Sequence, residues 1–191
     1  MALSTPDPRE HLHTRRVVVE GYRRHDGDWD IEAWLHDSKT YGYEEVERGQ
    51  RAPGAPVHHM AVRLTMDSHK VIKRVEVAMP AAPYSACQTA QPNYQLLVGK
   101  QIGAGWRGAV NEAVGSTRGC THLRELLFPM ATVAFQTINV WQMQNADAAT
   151  LEAIKNQRPF SLDGCKAWAS DSPMVMKFYP QFAAAGCDPK S

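Results

Sequence analysis

The stretch Trp29-Asp30-Ile31-Glu32-Ala33-Trp34-Leu35-His36-Asp37 alternates in polarity. Trp29, Ile31, Ala33 and Leu35 fall on one side, and Asp30, Glu32, Trp34 and His36 on the other. Successive side chains of a strand point to opposite faces, so this pattern predicts a β-strand with one buried and one more polar face. Asp26-Gly27, just upstream, is a hairpin signal. The β-rich run from His13 to Arg24, centred on Val17-Val18-Val19, supplies the partner strand.

Downstream the pattern repeats. The segment from Glu44 to Pro56, rich in charge, Gly and Pro, reads as a surface loop. Met60, Val62, Leu64 and Met66 then alternate as a strand that His58 opens. Asp67-Ser68-His69-Lys70 turns the chain, and Val71 to Met79 makes the partner strand. Pro80, Pro83 and Pro92 mark a rigid connection carrying Tyr84 and Cys87. Helical spacing begins with Tyr94, Leu97 and Val98, breaks at Gly99-Lys100 and resumes from Ile102 to Val114. The clearest helix carries Leu123, Leu126, Leu127, Met130, Ala131, Ala134, Phe135 and Ile138, with Thr121 as its expected N-cap and Pro129 limiting or kinking it. A shorter helix is expected from Ala146 to Asn156, and the tail from Pro159 reads as irregular. Strands first and helices after give an α+β class: an antiparallel sheet, built from an N-terminal hairpin and a central strand pair, packed by C-terminal helices. The expected organisation is a flexible arm over residues 1–10, a single α+β domain over 11–158 and an irregular C-terminal extension over 159–191 packed on it.

The chain of 191 residues is 43% hydrophobic and 21% charged, with a formal net charge of +1. That balance gives no electrostatic reason to expect nucleic acid. Apolar runs fall short of the roughly 20 residues that cross a bilayer. The start of the chain lacks an apolar signal region, so the expected location is the cytoplasm. Cys87, Cys120, Cys165 and Cys187 are the 4 cysteines. They are widely spaced and are expected as reduced thiols.

Chemistry concentrates at Gly119-Cys120-Thr121-His122-Leu123. A thiol and an imidazole stand two positions apart where a loop enters the strongest helix, and a helix N-terminus favours thiolate and other anions. The pair suits metal ligation, a nucleophile with its base, or a buried thiol beside a capping histidine. His58, Cys87, Cys120 and His122 all lie at element ends, and nitrogen and sulfur donors of this kind suit zinc or iron. A metal-free reading gives acid–base work to His58 or His59, since histidine titrates near neutrality. Asp30 and Glu32 are the expected complementary carboxylates. Trp34, Tyr84 and Trp106 are candidate walls of an apolar pocket, and Arg118 a candidate anchor for a substrate carboxylate or phosphate.

Two resemblances extend this reading. Arg9-Glu10-His11-Leu12-His13-Thr14-Arg15, Trp29-Asp30-Ile31-Glu32 and Gly119-Cys120-Thr121-His122-Leu123 resemble the signature blocks of a bacterial family known as a domain of unknown function, over about residues 9–137. Where that family tends to read His-Asp-Met, this chain has His58-His59-Met60. More distantly, residues 57–136 are similar in layout to the IscU/NifU-like iron–sulfur scaffold proteins. On that likeness His58, Cys87, the helix ending Leu97-Val98-Gly99-Lys100, and Cys120 with His122 take the matching places. The scaffold proteins have three cysteines and a contiguous His-Cys pair there; this chain has two cysteines and a Cys-x-His pair.

The function expected from these readings is a bacterial small-molecule catabolic enzyme. It would perform cofactor-independent acid–base chemistry of the lyase or isomerase type, such as ring opening, on an apolar terpenoid or aromatic catabolite. No cofactor is favoured, with zinc or iron as the metal the donors suit. The alternative is a carrier or sensor holding zinc or an iron–sulfur cluster through His58, Cys87, Cys120 and His122. A non-catalytic partner subunit is the third. The expected partner is a small apolar molecule, with no nucleic acid, no membrane and room for a homodimer.

Overall fold

The computed structural model describes residues 3–159 and 161–184, and the chain divides into two compact units between Asn139 and Val140. Cys187 lies outside the described residues. Among them, no helix is long and apolar enough to cross a membrane.

The first unit is built on a four-stranded antiparallel sheet, ordered β1-β2-β5-β6. Its strands are β1 (His13–Arg23), β2 (Trp29–Lys39), β5 (Pro56–Met66) and β6 (Ile72–Ala81). β1 and β2 form the expected hairpin, turning at Gly27 with φ of 93°. The alternation of β2 sets the packing. Trp29, Ile31, Ala33 and Leu35 are buried, and Met60, Val62, Leu64 and Met66 of β5 join them in the core. Burying a large apolar side chain of this kind contributes about 1.5–3 kcal/mol, so a one-residue slip of either strand would turn its whole apolar set to water.

The segment read as a loop contains a small hairpin of its own, β3 (Tyr43–Glu45) and β4 (Gly49–Arg51). Its strands are too short to show alternation. After β6 the chain makes successive 3-10 turns from Ser85 to Leu97 in place of the expected α-helical spacing, with Pro92 inside them. Helices α1 (Trp106–Val114) and α2 (Thr121–Ala134) follow. α2 packs across β1, β2 and β5 and buries Leu123, Leu126, Leu127 and Met130. Cys120, not Thr121, is its N-cap, and Pro129 stands inside the helix without ending it. Beyond Ala134 the helix widens into a π-helical turn, Phe135–Asn139. A Cβ placed on Gly21 of β1 would come within 2.1 Å of Thr137 Oγ1, so β1 and this turn approach closely only because position 21 has no side chain.

The second unit holds α3 (Val140–Asn145), α4 (Ala148–Lys155) and α5 (Pro173–Phe178). The side chains of Asp147 and Ser172 cap α4 and α5 by accepting from Thr150 and Val175 backbone N–H groups. The tail expected to be irregular therefore carries a capped helix.

Candidate active site at one end of the sheet

The register of three strands builds the site. Asp37 of β2 stands directly opposite Arg15 of β1 and directly opposite His58 of β5. Residues opposite each other in an antiparallel sheet project from the same face. Arg15, Asp37 and His58 thus form a row on the core-facing side, at the end of the sheet where the apolar positions run out. The Asp37 side chain is only 2% exposed. It accepts two hydrogen bonds from Arg15, Nε at 2.8 Å and a terminal nitrogen at 2.7 Å, the bidentate geometry of a strong pair. One of the same oxygens lies 2.9 Å from His58 Nδ1. An ionised carboxylate only accepts, so His58 carries its proton on Nδ1 and leaves Nε2 as the basic nitrogen. His13, one alternation before Arg15, adds a contact of 3.6 Å to Asp37.

The helical layer completes the site. α2 presents His122 over the sheet, its ring centroid 3.8 Å from that of His58. Cys120, at the N-cap, places Sγ 3.9 Å from His122 Nδ1 and 4.0 Å from Met60 Sδ. The buried Tyr94 hydroxyl donates to the Cys120 carbonyl at 3.0 Å and fixes the helix entry. From the β3–β4 hairpin, Arg48 is held by Glu45 and donates to the Val57 carbonyl at 2.9 Å, next to His58.

These surroundings set the charge states. Burial lowers the His58 pKa below its ordinary value against the opposing pull of Asp37, and the nearby Arg15 and Arg48 cations lower it further. Burial likewise lowers His122, helped by His58 and Arg15. Burial alone would raise Asp37; hydrogen bonds from Arg15 and His58 more than offset it and hold the carboxyl below its usual range. At neutral pH the site is an arginine–carboxylate pair beside two neutral imidazoles. One ligand atom each from Asp37, His58 and His122 lies within 4.8 Å of the other two, which is close enough to hold a metal ion.

The model of one protein family, described as a protein of unknown function (DUF2889), matches residues 13–136. The chain belongs to that family. The match runs from β1 through α2, so the DUF2889 region takes in every residue of the site just described. No curated protein and no solved structure matches the chain.

Within the DUF2889 region, the structure brings together three of the residues singled out in the sequence: His58, Cys120 and His122. It separates the rest. Cys87 sits in the 3-10 turns, half-buried, and is not part of the converging group. His59 projects from the opposite face to His58, its ring 5.6 Å from His36. Asp30 and Glu32 are on that outer face too. Asp30 accepts from Thr65 Oγ1 at 2.6 Å, and Glu32 from Arg63 Nε at 2.5 Å. Trp34 lines a hollow of about 300 Å³ on the same outer face, with Glu32, Arg63 and Glu76. Trp106 is a core residue whose Nε1 donates to the Leu127 carbonyl at 3.0 Å. Tyr84 is exposed, and Arg118 donates to the Asn111 carbonyl at 2.9 Å beside the end of α1.

The carboxylate that does meet His58 is Asp37, which sequence reasoning passed over. A signal for it existed. Asp37 continues the alternation of Trp29, Ile31, Ala33 and Leu35 by one step, and a carboxylate on an apolar face requires a partner. Arg15 lay inside a quoted motif, but nothing in the motif says which carboxylate it holds.

Proposed function

We propose that the protein is an enzyme performing acid–base chemistry of the lyase or isomerase type on a small organic molecule, with His58 Nε2 as the proton-transferring atom. The observation that carries this reading is the buried Asp37 carboxylate, locked by Arg15 and hydrogen-bonded to His58 Nδ1. That arrangement fixes the tautomer and ring orientation, and leaves Nε2 unprotonated at neutral pH as a base. As His58 takes up a proton, Asp37 balances the new charge. His122 stacks against His58 and touches the Cys120 thiol, so it is placed as a second proton carrier. Met60 and Tyr94 supply the apolar side of this corner. Trp34, Tyr84 and Trp106, the aromatic residues that suggested a terpenoid or aromatic substrate, do not converge here.

The test uses solvent deuterium. A panel of monoterpene and aromatic catabolites is incubated with the protein in deuterium oxide, and C–H exchange is followed by NMR. The expected result is exchange with the native protein, none with His58→Ala, and a loss of about 10²–10⁴-fold with Asp37→Asn. Exchange that survives His58→Ala would overturn the assignment.

A second reading is supported by the convergence of Asp37, His58 and His122, a donor set that suits zinc or iron. A metal there would supply Lewis-acid chemistry, or serve a carrier or sensor function as the layout likeness to iron–sulfur scaffold proteins suggests. Against it, Arg15 donates to both Asp37 oxygens and already supplies that carboxylate with a cation. Elemental analysis of protein purified without an affinity tag separates the readings. Near-stoichiometric zinc or iron, lost in His122→Ala and kept in Cys87→Ala, selects the metal site.

A further inference from the structure

The two edges of the sheet are treated differently. The β6 edge is covered. Ile72 exchanges backbone hydrogen bonds with Gly99 and Lys100, and Gln95 and Gln88 donate to the Val75 and Met79 carbonyls at 2.8 and 2.9 Å. Pro80 and two register shifts interrupt its pairing with β5. The β1 edge has none of these devices. It spans 11 residues without proline or bulge, no described strand pairs along its outer side, and Val17 and Val18 are 44% and 42% exposed. A long, bare, apolar-centred edge is a template for another strand.

The sequence of β1 says which strand. A two-fold axis perpendicular to the sheet keeps the helical layers of two copies on the same side and pairs residues of like parity. Centred on Val18, it places Arg16 opposite Glu20 twice, Val17 opposite Val19 twice and Val18 opposite itself. Moving the axis to Val17 sets Arg16 against Val18 and Glu20 against Thr14, so neither charge meets its opposite. Moving it to Val19 sets Arg15 against Arg23 and Glu20 against Val18. Cross-strand charge pairs stabilise and like charges directly opposite destabilise, so β1 is self-complementary in one register. In that register Arg15 falls opposite Gly21, the position with no side chain, and its hold on Asp37 is undisturbed. We propose that two copies of this chain join through antiparallel pairing of their β1 strands about Val18, continuing the sheet across an isologous dimer.

The experiment is charge reversal on the full chain, read by sedimentation velocity over a concentration series. Arg16→Glu and Glu20→Arg each convert two attractive pairs to repulsive ones and should weaken the dimer about tenfold or more. The double variant R16E/E20R restores opposite charges and should recover native association. Both positions are exposed, and circular dichroism checks that each variant is folded. A native protein that stays monomeric throughout, a dimer indifferent to the single reversals, or a double variant no better than either single one would overturn the proposal.

Discussion

His58 and His59 are adjacent in the chain and share a strand, yet they live in different chemistry. His58 faces the helical layer, where Asp37 orients it and His122 stacks on it. His59 faces outward, across from His36. The same division runs through the whole sheet. The outer face carries a more open ladder, with Glu32 (16% exposed) to Arg63, Arg63 to Glu76 and Arg74 to Glu76. The inner face carries one carboxylate, nearly fully buried, that serves Arg15 and His58 at once. Similar side chains thus do different work according to parity on a strand. On the outer face water screens each pair, which is then worth little. On the inner face the Asp37 carboxylate is cut off from water and depends on its partners, while the Arg15 guanidinium stays 44% exposed.

The sharpest way to break this comparison is to remove one carboxylate from each face. Asp37→Ala removes the buried acceptor shared by Arg15 and His58; the expected loss is about 1.5–3 kcal/mol of unfolding free energy. Glu32→Ala on the outer face should cost under about 1 kcal/mol. Urea unfolding of both variants measures the difference, and equal losses would end the distinction between the faces.

Packing makes the next contrast. Gly21→Ala drives a methyl into Thr137 on the inner side of β1, where ordinary contact begins near 3.4 Å and the approach is 2.1 Å. The expected cost is about 1–3 kcal/mol, read as a lowered melting temperature. Adding Thr137→Ala should return part of it. Gly27→Ala in the hairpin turn meets no neighbour and is penalised only through its φ of 93°.

How much of this was legible follows the same parity. The alternation of Trp29 to Leu35 and of Met60 to Met66 gave the strands, their pairing and their buried face. It also carried enough information to separate His58 from His59 and from Asp30 and Glu32, because residues on one face share a parity. What it lacked was register. The chain between β2 and β5 folds back through its own hairpin, and no residue pattern says that position 37 meets position 58. Asp37 therefore looked like the end of a strand when it was the centre of a site. Trp106 misled for another reason: it was grouped with Trp34 and Tyr84 as a pocket wall, but its indole N–H donates to a carbonyl inside the core. The helical pair Cys120 and His122 was legible because a helix N-terminus is announced locally.

Acid should weaken the inner face through its histidines. The folded-state pKa values of His58 and His122 lie below the ordinary 6.5. As pH falls through 6.5, the unfolded chain takes up protons that the folded one still refuses, so stability declines from there down to the lowered values. Asp37 acts in the same direction but in a separate window. Its depressed value means that the stability it contributes is lost only as pH drops below about 3.8. Melting temperatures between pH 7.5 and about 4.5 should show the histidine decline, and the slope should flatten in His58→Gln. A flat native profile would contradict the buried neutral imidazoles.

The smallest expected effect concerns Cys120, and it sets stability against chemistry. The caps of α4 and α5 use Asp147 and Ser172, whose side chains accept from the helix backbone; Cys120 caps α2 with no such bond. A serine there would offer the oxygen that the first turn of α2 lacks. Cys120→Ser should therefore raise stability by about 0.5–1 kcal/mol, measured by the same urea unfolding as Asp37→Ala. If the thiol takes part in proton transfer through His122, the same change should lower the deuterium exchange that His58 supports. A variant that is both more stable and fully active would make Cys120 a passive neighbour, and the site would reduce to the row Arg15–Asp37–His58 with His122 above it.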